Sequence, residues 1–272
     1  MLGLGNTLVG GVPSPEFLPT NLSGLVLWLK AGTGMSSNQD TNGDEHAGGA
    51  TFTTAAGTIT DNDRIHDWAD QSDEGNDATQ STGGDMPKWD TGASVDVGKA
   101  HWDSNVKWLD LDSTITIDAN EDFTIIMRWK AHDLAGRTLI GHDAQNLFKI
   151  QSATDMRSLI GGSGVTVWSE GGGGTLVTTA YYTTVYTRSN GSTGDLNVYV
   201  NGGAHSDVDW DAAENATDTD AFTISNIGSN ADDSGDWKGH IADVLIYKGY
   251  ALTSDDRDNI YTYIANQTQE QS

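Results

Sequence analysis

Short apolar runs of β-strand length alternate with Gly- and Asp-rich stretches along most of the chain. The first run, residues 24–30 (GLVLWLK), is continuously apolar, which is typical of a strand buried on both faces. In residues 123–130, Phe, Ile, Met and Trp at the odd positions alternate with Thr, Ile, Arg and Lys at the even positions. Because side chains of a strand point alternately to its two sides, this period of two predicts a half-buried strand.

Further apolar runs are spaced like the strands of hairpins, with turn residues such as Asn201-Gly202-Gly203 beside them. The predicted strands are residues 138–141 paired with 146–151, 181–188 paired with 196–200, and then 222–227 and 241–247. No internal repeat accompanies them. Many short strands with turns between them are typical of an all-β sandwich.

One helix is predicted, at the C-terminal end of the strand series. Thr253 can cap its N-terminus, with Asp256 three residues later, and acidic residues fill the first turn. Ile260 and Ile264 lie four residues apart and therefore share one helix face.

The chain divides by composition into three parts: an extended arm over residues 1–21, a sandwich domain over residues 22–267 and a polar tail over residues 268–272. The Gly- and Pro-containing arm has two readings that the sequence leaves open, a disordered tail or a docking arm that grips a neighbouring subunit. Residues 1–15 carry no basic residue and match a secretory signal poorly, so we expect a protein made and kept inside a cell until it is released.

Composition limits the partners. Only 36% of the residues are hydrophobic, so the core must rely on the 9 Trp, 8 Tyr and 5 Phe, with Trp68, Trp89 and Trp102 expected to anchor loops to it. The formal net charge of −25 repels phosphate backbones and anionic membranes, which argues against nucleic-acid and membrane partners. The absence of Cys excludes disulfides and thiol chemistry.

The ordered series of strands resembles the laminin-G-like branch of the concanavalin A-like lectin/glucanase superfamily. The last of the resembling blocks is the most specific, because a strand, a tight turn, "ALTSDD" and a helix usually close such domains. This resemblance implies a jelly-roll sandwich of two antiparallel sheets with a concave face that binds glycans in relatives. The blocks are GLVLWLKAG at 24–32, HDWADQSDEGNDATQ at 66–80, DFTIIMRWKA at 122–131, RTLIGHD at 137–143, LNVYVNGG at 196–203 and GHIADVLIYKGYALTSDDRDNIYTYIANQ at 239–267.

The arm, the acidity and the lack of Cys resemble structural proteins of tailed phages, particularly marine ones. This second resemblance implies a non-enzymatic virion protein assembled in the host cytoplasm: an accessory capsid decoration, or a neck or tail-fibre component. Its implied partners are other virion proteins bound through the arm, further copies of itself in a homo-oligomer, and host surface glycans. A carbohydrate-binding module or lectin outside a virion is the main alternative, and a glycoside hydrolase is a further one.

Catalytic groups are scarce in the sequence. Glucanases of the resembling superfamily carry alternating carboxylates on one strand, and the only segment interpreted as similar is Asp207, Asp209 and Asp211 with Glu214 beyond. This segment lacks the Glu residues, and a solvated strand edge explains it better. The chain also has no Gly-x-Ser-x-Gly motif, so nucleophilic catalysis is not predicted.

Oxygen ligands for Ca²⁺ are predicted in the polar excursion that follows the first strand. Asp40, Asn42 and Asp44 alternate around Gly43, as in calcium loops, and Asp61 and Asp63 can close the site from the far side. A solvated turn is the alternative, because Asp, Asn and Gly are also ordinary turn residues.

Histidines and exposed aromatics give weaker signals. The seven His residues show no zinc-ligand spacing, and His66 is expected to form hydrogen bonds near Asp67 and Asp70. Four Trp residues lie in polar surroundings and are the ones expected at the surface, where rings can stack on sugars: Trp108, Trp168, Trp210 and Trp237.

Overall fold

A computed structural model describes residues 17–37, 63–90, 99–103, 107–169, 175–189, 195–201, 216–217, 219–230 and 235–270. Within these ranges the chain forms strands, two 3₁₀ turns (Pro19–Asn21 and Gly83–Asp85) and one α-helix. In chain order they are β1 (Leu25–Lys30), β2 (Met35–Ser37), β3 (Ile65–Trp68), β4 (Ala78–Thr79), β5 (Lys88–Asp90), β6 (Lys99–Trp102), β7 (Leu109–Ile117), β8 (Phe123–Ala131), β9 (Arg137–Asp143), β10 (Asn146–Ser152), β11 (Asp155–Ile160), β12 (Ser163–Ser169), β13 (Tyr182–Ser189), β14 (Asp195–Asn201), β15 (Ala216–Thr217), β16 (Phe222–Ile227), β17 (Gly239–Lys248) and α1 (Ser254–Glu270).

The strands of the described ranges form two antiparallel sheets. The eight-stranded sheet has the order β15-β14-β13-β8-β17-β6-β5, and β1 pairs with the part of β17 that lies beyond β6. The nine-stranded sheet has the order β12-β11-β10-β9-β16-β7-β4-β3-β2. This arrangement confirms the predicted two-sheet sandwich with a C-terminal helix, and the predicted hairpins correspond to β9–β10 and β13–β14.

The core lies between the two sheets and is built largely from aromatic side chains. Phe123, Phe148 and Phe222 come from β8, β10 and β16, and their ring centroids lie 4.9 to 6.2 Å apart in edge-to-face pairs. Trp68 is fully buried, as predicted. Trp237 is also fully buried and packs edge-on against a core Trp, so its predicted surface position is wrong.

Trp89 and Trp102 do reach the core, but they do so from β5 and β6 and not from the loops that the sequence predicts. Both strands lie at one edge of the eight-stranded sheet. Their polar neighbours therefore point to the outer face of that sheet.

Helix α1 covers part of the outer face of the eight-stranded sheet. Ile260 and Ile264 are buried in a second apolar cluster with Ile126 of β8 and Leu245 of β17. The sequence predicts that the even positions of β8 face solvent, and this is wrong for Ile126 and Thr124, which are fully buried. A strand that is apolar on one face can have its other face covered by an element from a distant part of the chain.

The start of α1 has the predicted capping box. Asp256 N donates to Thr253 Oγ1 at 3.3 Å, and Thr253 N donates to Asp256 Oδ2 at 3.0 Å. The helix ends at Glu270, beyond the predicted domain boundary at residue 267. In the described part of the chain, no helix combines the length and the apolar character needed to span a bilayer.

Candidate functional site

A row of polar residues crosses the outer face of the nine-stranded sheet. Asp67, Thr79, Asp110, Asn226 and Gly141 are successive Cα partners on β3, β4, β7, β16 and β9. We call these five residues the polar row. Side chains directly opposite one another in neighbouring strands are close enough to interact, so the row forms one continuous polar surface.

The polar row faces away from the core because of the alternation along β7. Leu109 and Leu111, on either side of Asp110, are both buried in the apolar cluster between the sheets. Asp110 and Asp112 therefore point to the opposite side, where both are exposed. Gly141 is buried next to Asn226, and a Cβ atom there would lie only 3.0 Å from the carbonyl oxygen of Asn146, so this end of the row is closed.

A chain of hydrogen bonds holds the centre of the polar row in one arrangement. Trp108 Nε1 donates to Asp110 Oδ2 at 3.2 Å, and Asn226 Nδ2 donates to Asp110 Oδ1 at 2.5 Å. Ser225 Oγ donates to Asn226 Oδ1 at 2.6 Å and also lies 2.8 Å from His142 Nδ1. Because the Ser225 hydroxyl has only one proton, Nδ1 of His142 must be the donor in the last bond.

Two carboxylates, Asp77 and Asp112, flank the polar row. Desolvation raises the pKa of Asp112, and the negative charges of Asp77 and Asp67 raise it further. Desolvation also raises the pKa of Asp110, although its hydrogen bonds from Trp108 and Asn226 oppose the shift. Carboxyl groups with raised pKa values in one open surface are a physical mark of a functional site.

The loop between β3 and β4 places Asp77 in this group. Within the loop, Asp70 Oδ1 accepts hydrogen bonds from Trp28 N at 2.8 Å and from Ser72 N at 2.9 Å, and Asp70 N donates to Asp77 Oδ1 at 2.8 Å. Asp112 N then donates to the carbonyl oxygen of Asp77 at 2.9 Å. The loop is thus fixed to both sheets by its own polar groups, which holds the flanking carboxylates beside β7.

A cleft of about 290 Å³ lies beside this loop, between β1 of one sheet and β7 of the other. Val26 and Ile115 line it with apolar surface, whereas Asn76, Thr114 and Thr116 line it with an amide and two hydroxyl groups. Apolar walls with a few polar groups are typical of small-molecule sites. The part of β7 that lines the cleft begins directly after Asp112. The cleft therefore lies next to one of the two carboxylates that flank the polar row.

The predicted calcium ligands cannot be placed together. Asp40, Asn42, Asp44 and Asp61 lie outside the described residues, so the Ca²⁺ site remains a prediction. Asp63 is buried, and its carbonyl oxygen accepts a hydrogen bond from Trp89 N at 2.7 Å.

Most of the other candidates also lie outside the described residues. The segment with Asp207, Asp209, Asp211 and Glu214 is one of them, and Trp210 belongs to it. His66 is described and lies on β3, where its Nδ1 is 2.7 Å from Asp67 Oδ2, in agreement with its expected role in hydrogen bonding. Trp108 is the described surface Trp, and it is half-buried.

Sequence reasoning missed Asp110 and Asp112. The signal was present, because Leu109-Asp110-Leu111-Asp112 alternates apolar and acidic residues with a period of two. Whether such a strand bears a site or only a solvated face depends on its neighbours. Asn226, Asp67 and Asp77 come from distant parts of the chain, and only the sheet order brings them beside β7.

Solved structures with detectable similarity come from carbohydrate-processing enzymes. Domain 4 of the extracellular GH43 arabinanase AbnA from Geobacillus stearothermophilus, in complex with arabinotriose, has a TM-score of 0.47 and 18% identity, over 70% of this chain and 91% of that domain. Trypanosoma rangeli sialidase in complex with the inhibitor DANA has a TM-score of 0.43 and 12% identity, over 79% of this chain and 35% of the sialidase. An arabinofuranosidase in complex with arabinofuranosyl-alpha-1,2-xylobiose has a TM-score of 0.43 and 16% identity, over 92% of this chain and 59% of that chain.

These structures correct two predictions. The sequence predicts a non-enzymatic structural protein of a phage virion, whereas the solved structures that this chain resembles are an arabinanase domain, a sialidase and an arabinofuranosidase. These likenesses contradict the virion assignment and the exclusion of enzymatic activity, and they assign no activity in their place. The chain spans only about a third of the sialidase and about three fifths of the arabinofuranosidase, and likeness at this level identifies no particular activity.

A family model gives the more specific result. No curated protein matches the chain. The Laminin_G_3 model, described as concanavalin A-like lectin/glucanases superfamily, matches residues 103–256, which is more than half of the chain. The matched range contains all of β7, β16 and β17, with Asp110, Asp112 and Asn226 of the site. The chain therefore belongs to the Laminin_G_3 family of the concanavalin A-like lectin/glucanases superfamily.

Proposed function

We propose that this domain is carbohydrate-active and that it binds a neutral polysaccharide along the polar row and the flanking carboxylates Asp77 and Asp112. The observation that carries the proposal is the half-buried Trp108 beside the exposed carboxylate of Asp110, which the buried Asn226 holds in place by a hydrogen bond. A sugar ring has apolar patches and several hydroxyl groups, so it suits an aromatic ring beside fixed hydrogen-bond acceptors and donors.

The charge of the surface supports a neutral ligand. Asp67, Asp77, Asp110 and Asp112 lie together there, and the whole chain carries a formal net charge of −25. Like charges across an interface disfavour the wrong partner, so uronic or sialic acid polymers should bind poorly. Hydroxyl groups, in contrast, donate well to carboxylates.

The test is affinity electrophoresis followed by calorimetry, with soluble arabinan, xylan and β-glucan as neutral polymers and polygalacturonate as the anionic one. We expect binding to at least one neutral polymer, and we expect Trp108→Ala to weaken it by at least about tenfold, or about 1.4 kcal/mol. Gln151→Ala, at an exposed residue of β10, is the matched control and should bind as the parent does. Equal binding by the Trp108 variant and the parent would contradict the proposal, as would a preference for the anionic polymer.

Hydrolysis is a second candidate function, favoured by the two raised carboxyl pKa values on β7. Asp110 and Asp112 lie two residues apart and point to the same side of the strand. A carboxyl group with a raised pKa remains protonated to higher pH, as a general acid requires, and glycoside hydrolysis uses a pair of carboxyl groups. In the enzyme that this predicts, one of the two protonates the leaving oxygen and the other acts on the sugar or on a water molecule.

The two functions can be separated with one pair of variants. Release of reducing sugar from any polymer that binds should be lost in Asp110→Asn and in Asp112→Asn, while binding stays within a few-fold of the parent. Trp108→Ala should weaken binding as well as turnover. If the parent binds but releases no sugar, hydrolysis is excluded and the binding proposal is unaffected.

A further inference from the structure

Three histidines meet on the outer face of the eight-stranded sheet. His101 of β6 and His240 of β17 are Cα partners, and His132 directly follows the last residue of β8, on the other side of β17. One ligand nitrogen of each residue lies within 4.8 Å of those of the other two. The ring centroids are 4.5 Å apart for His101 and His240, 4.9 Å for His101 and His132, and 5.0 Å for His132 and His240. We call these residues the histidine triad.

The triad contains buried nitrogens that lack hydrogen-bond partners among the described residues. His240 is 6% exposed, and its Nε2 lies 2.8 Å from Asp90 Oδ2, but its Nδ1 is buried without a partner. Nε2 of His101 is likewise buried without a partner. Because a buried polar atom without a partner is costly, two of them in one cluster of ligand type indicate that a ligand completes the site.

The surroundings of the triad lower the pKa of all three imidazoles and so favour their neutral form. Burial lowers the pKa of His240 to about 4, even though the hydrogen bond to Asp90 opposes the shift. Burial and the neighbouring His132 lower the pKa of His101, while burial, Lys130 and Lys238 lower that of His132. A neutral imidazole has the free lone pair that a metal ion needs.

Gly239 allows the strands to approach closely enough for the triad to form. Its φ of +144° is in a region that favours glycine, and a Cβ atom there would lie 2.1 Å from the carbonyl oxygen of Lys130. His132 N donates to the carbonyl oxygen of Lys238 at 2.9 Å across the same gap. A side chain at position 239 would therefore push β8 away from β17 and separate His132 from His240.

We propose that His101, His132 and His240 bind one transition-metal ion, Zn²⁺ in the first place, with a fourth coordination position open to solvent. Imidazole ligands suit Zn²⁺, whereas Ca²⁺ and Mg²⁺ require oxygen ligands. Tetrahedral coordination with Zn–N bonds of about 2.05 Å places the nitrogens about 3.4 Å apart, so the rings need to turn only slightly. Three imidazoles with one open position are also the ligand set of hydrolytic zinc centres.

The surroundings of the triad assign roles to the two ends of the site. Asp90 accepts a hydrogen bond from Nε2–H of His240, which leaves Nδ1 of His240 as the ligand atom. Metal-bound histidines usually donate their other ring N–H to a carboxylate in this way. His132 is exposed, so the ion can enter from its side. The charges of Lys130 and Lys238 act on His132 and favour an anionic group, such as hydroxide or a carboxylate, at the fourth position.

The triad and the polar row lie on different sheets. Metal binding can therefore fail while glycan binding succeeds, and the reverse. No local pattern indicates the triad, because residues 101, 132 and 240 are separated by more than 30 residues in each case and show no local zinc spacing.

The test measures metal content and metal geometry in the full chain. The protein is stripped with chelator, exchanged into zinc-free buffer that contains millimolar Mg²⁺ to occupy the acidic surface, and titrated with Zn²⁺. We expect one tightly bound Zn²⁺ per chain and a higher melting temperature. With Co²⁺, which reports its coordination by absorbance, we expect the visible spectrum of a tetrahedral site.

The variants separate the triad from other ligands. His132→Ala is the main one, because this exposed side chain can be removed without opening the core, and it should lower Zn²⁺ affinity by at least about 100-fold. His142→Asn is the matched control: it also removes one histidine, but from the polar row side of the sandwich, and should bind Zn²⁺ like the parent. No tight binding by the parent, undiminished binding by the His132 variant, or equal losses in both variants would each overturn the proposal.

Discussion

The outer faces of the two sheets differ in what covers them and in the charges they carry. The face of the eight-stranded sheet is covered in part by α1, and its remaining part carries the histidine triad with Lys99, Lys130 and Arg128. The polar row of the nine-stranded sheet brings carboxylates together, whereas the cations Lys149 and Arg157 of the same sheet lie apart from it on β10 and β11. A chain with 39 acidic and 14 basic residues thus does not distribute its charges evenly over the two faces.

The two outer faces show that the same alternation of inward and outward side chains along strands can support two kinds of chemistry. On the eight-stranded sheet, burial of His240 beside the part that α1 covers lowers its pKa to about 4 and favours the neutral imidazole that a metal ion needs. On the open face, desolvation and neighbouring carboxylates raise the pKa of Asp112, although its side chain is exposed, so this group is suited to hydroxyl ligands and to acid catalysis. Substitutions on the two outer faces, and changes of pH, test whether the faces differ in this way.

Removing the helix contact should affect the covered face most. Ile260→Ala creates a cavity between α1 and the sheet at a fully buried position, and we expect the free energy of unfolding to fall by about 2–4 kcal/mol. Thr114→Ala, at an exposed position of β7 beside the open face, should change it by less than about 0.5 kcal/mol. Urea unfolding of both variants measures the difference, and similar losses would show that the two faces do not differ as described.

Stability should depend on pH through Asp243, a buried residue of β17. Burial raises the pKa of Asp243 from 3.8 to about 6, although Arg128, Lys30 and Lys99 oppose the shift. The folded state therefore holds this proton more tightly than the unfolded state, so its contribution is present below about pH 4 and is lost as the pH rises through about 6. Relative to the parent, Asp243→Asn should gain stability on the order of 2 kcal/mol between pH 4 and pH 7.

Urea unfolding at several pH values checks this prediction. The relevant quantity is the difference between the parent and Asp243→Asn, because the other carboxyl groups titrate in both proteins. A difference that does not change between pH 4 and pH 7 would show that Asp243 is not desolvated by the sheet and the helix.

The helix that covers one face should be sensitive to its cap. Thr253→Ala removes the side-chain hydrogen bond to Asp256 N and should lower the free energy of unfolding by about 1 kcal/mol. Thr253→Ser keeps the hydroxyl group and should stay close to the parent. Thermal unfolding of the three proteins measures this, and an equal loss in the Ser and Ala variants would show that the hydroxyl does not cap the helix.

The smallest expected effect concerns charge repulsion on the open face. Asp112→Asn removes a carboxylate that the negative charges of Asp77 and Asp67 repel, and should increase stability by less than about 0.5 kcal/mol at low salt. Screening should abolish the gain at about 1 M NaCl. A loss of stability, or a gain that salt does not reduce, would mean that Asp112 makes a contact that outweighs the repulsion.

Several features were predictable from local sequence because local chemistry decides them. Residues 24–30 form a strand buried on both faces, and Leu27 and Trp28 indeed lie in two different apolar clusters. The helix begins at its predicted cap, because Thr253 and Asp256 need only each other. The hairpins β9–β10 and β13–β14 were also predictable, since each joins strands that are neighbours in sequence.

Other features depended on contacts that no local pattern contains. The alternation in β8 predicts exposure of Thr124, yet Thr124 Oγ1 donates to the carbonyl oxygen of Tyr250 at 3.0 Å beneath the helix. Trp237 stands among polar residues in sequence and nevertheless lies in the core. Its burial follows from the packing of the loop before β17 against the sandwich, which local hydropathy does not report.

The sequence by itself determined several of the strands, where the helix begins and that the chain is strongly acidic, because these properties follow from neighbouring residues and from composition. Only the tertiary structure decided which polar side chains meet. Asp110 and Asn226, and equally His101, His132 and His240, come together because antiparallel pairing sets residues far apart in the chain opposite each other. Register and sheet order are long-range properties, since a shift of one residue would turn each of these side chains to the other face of its sheet.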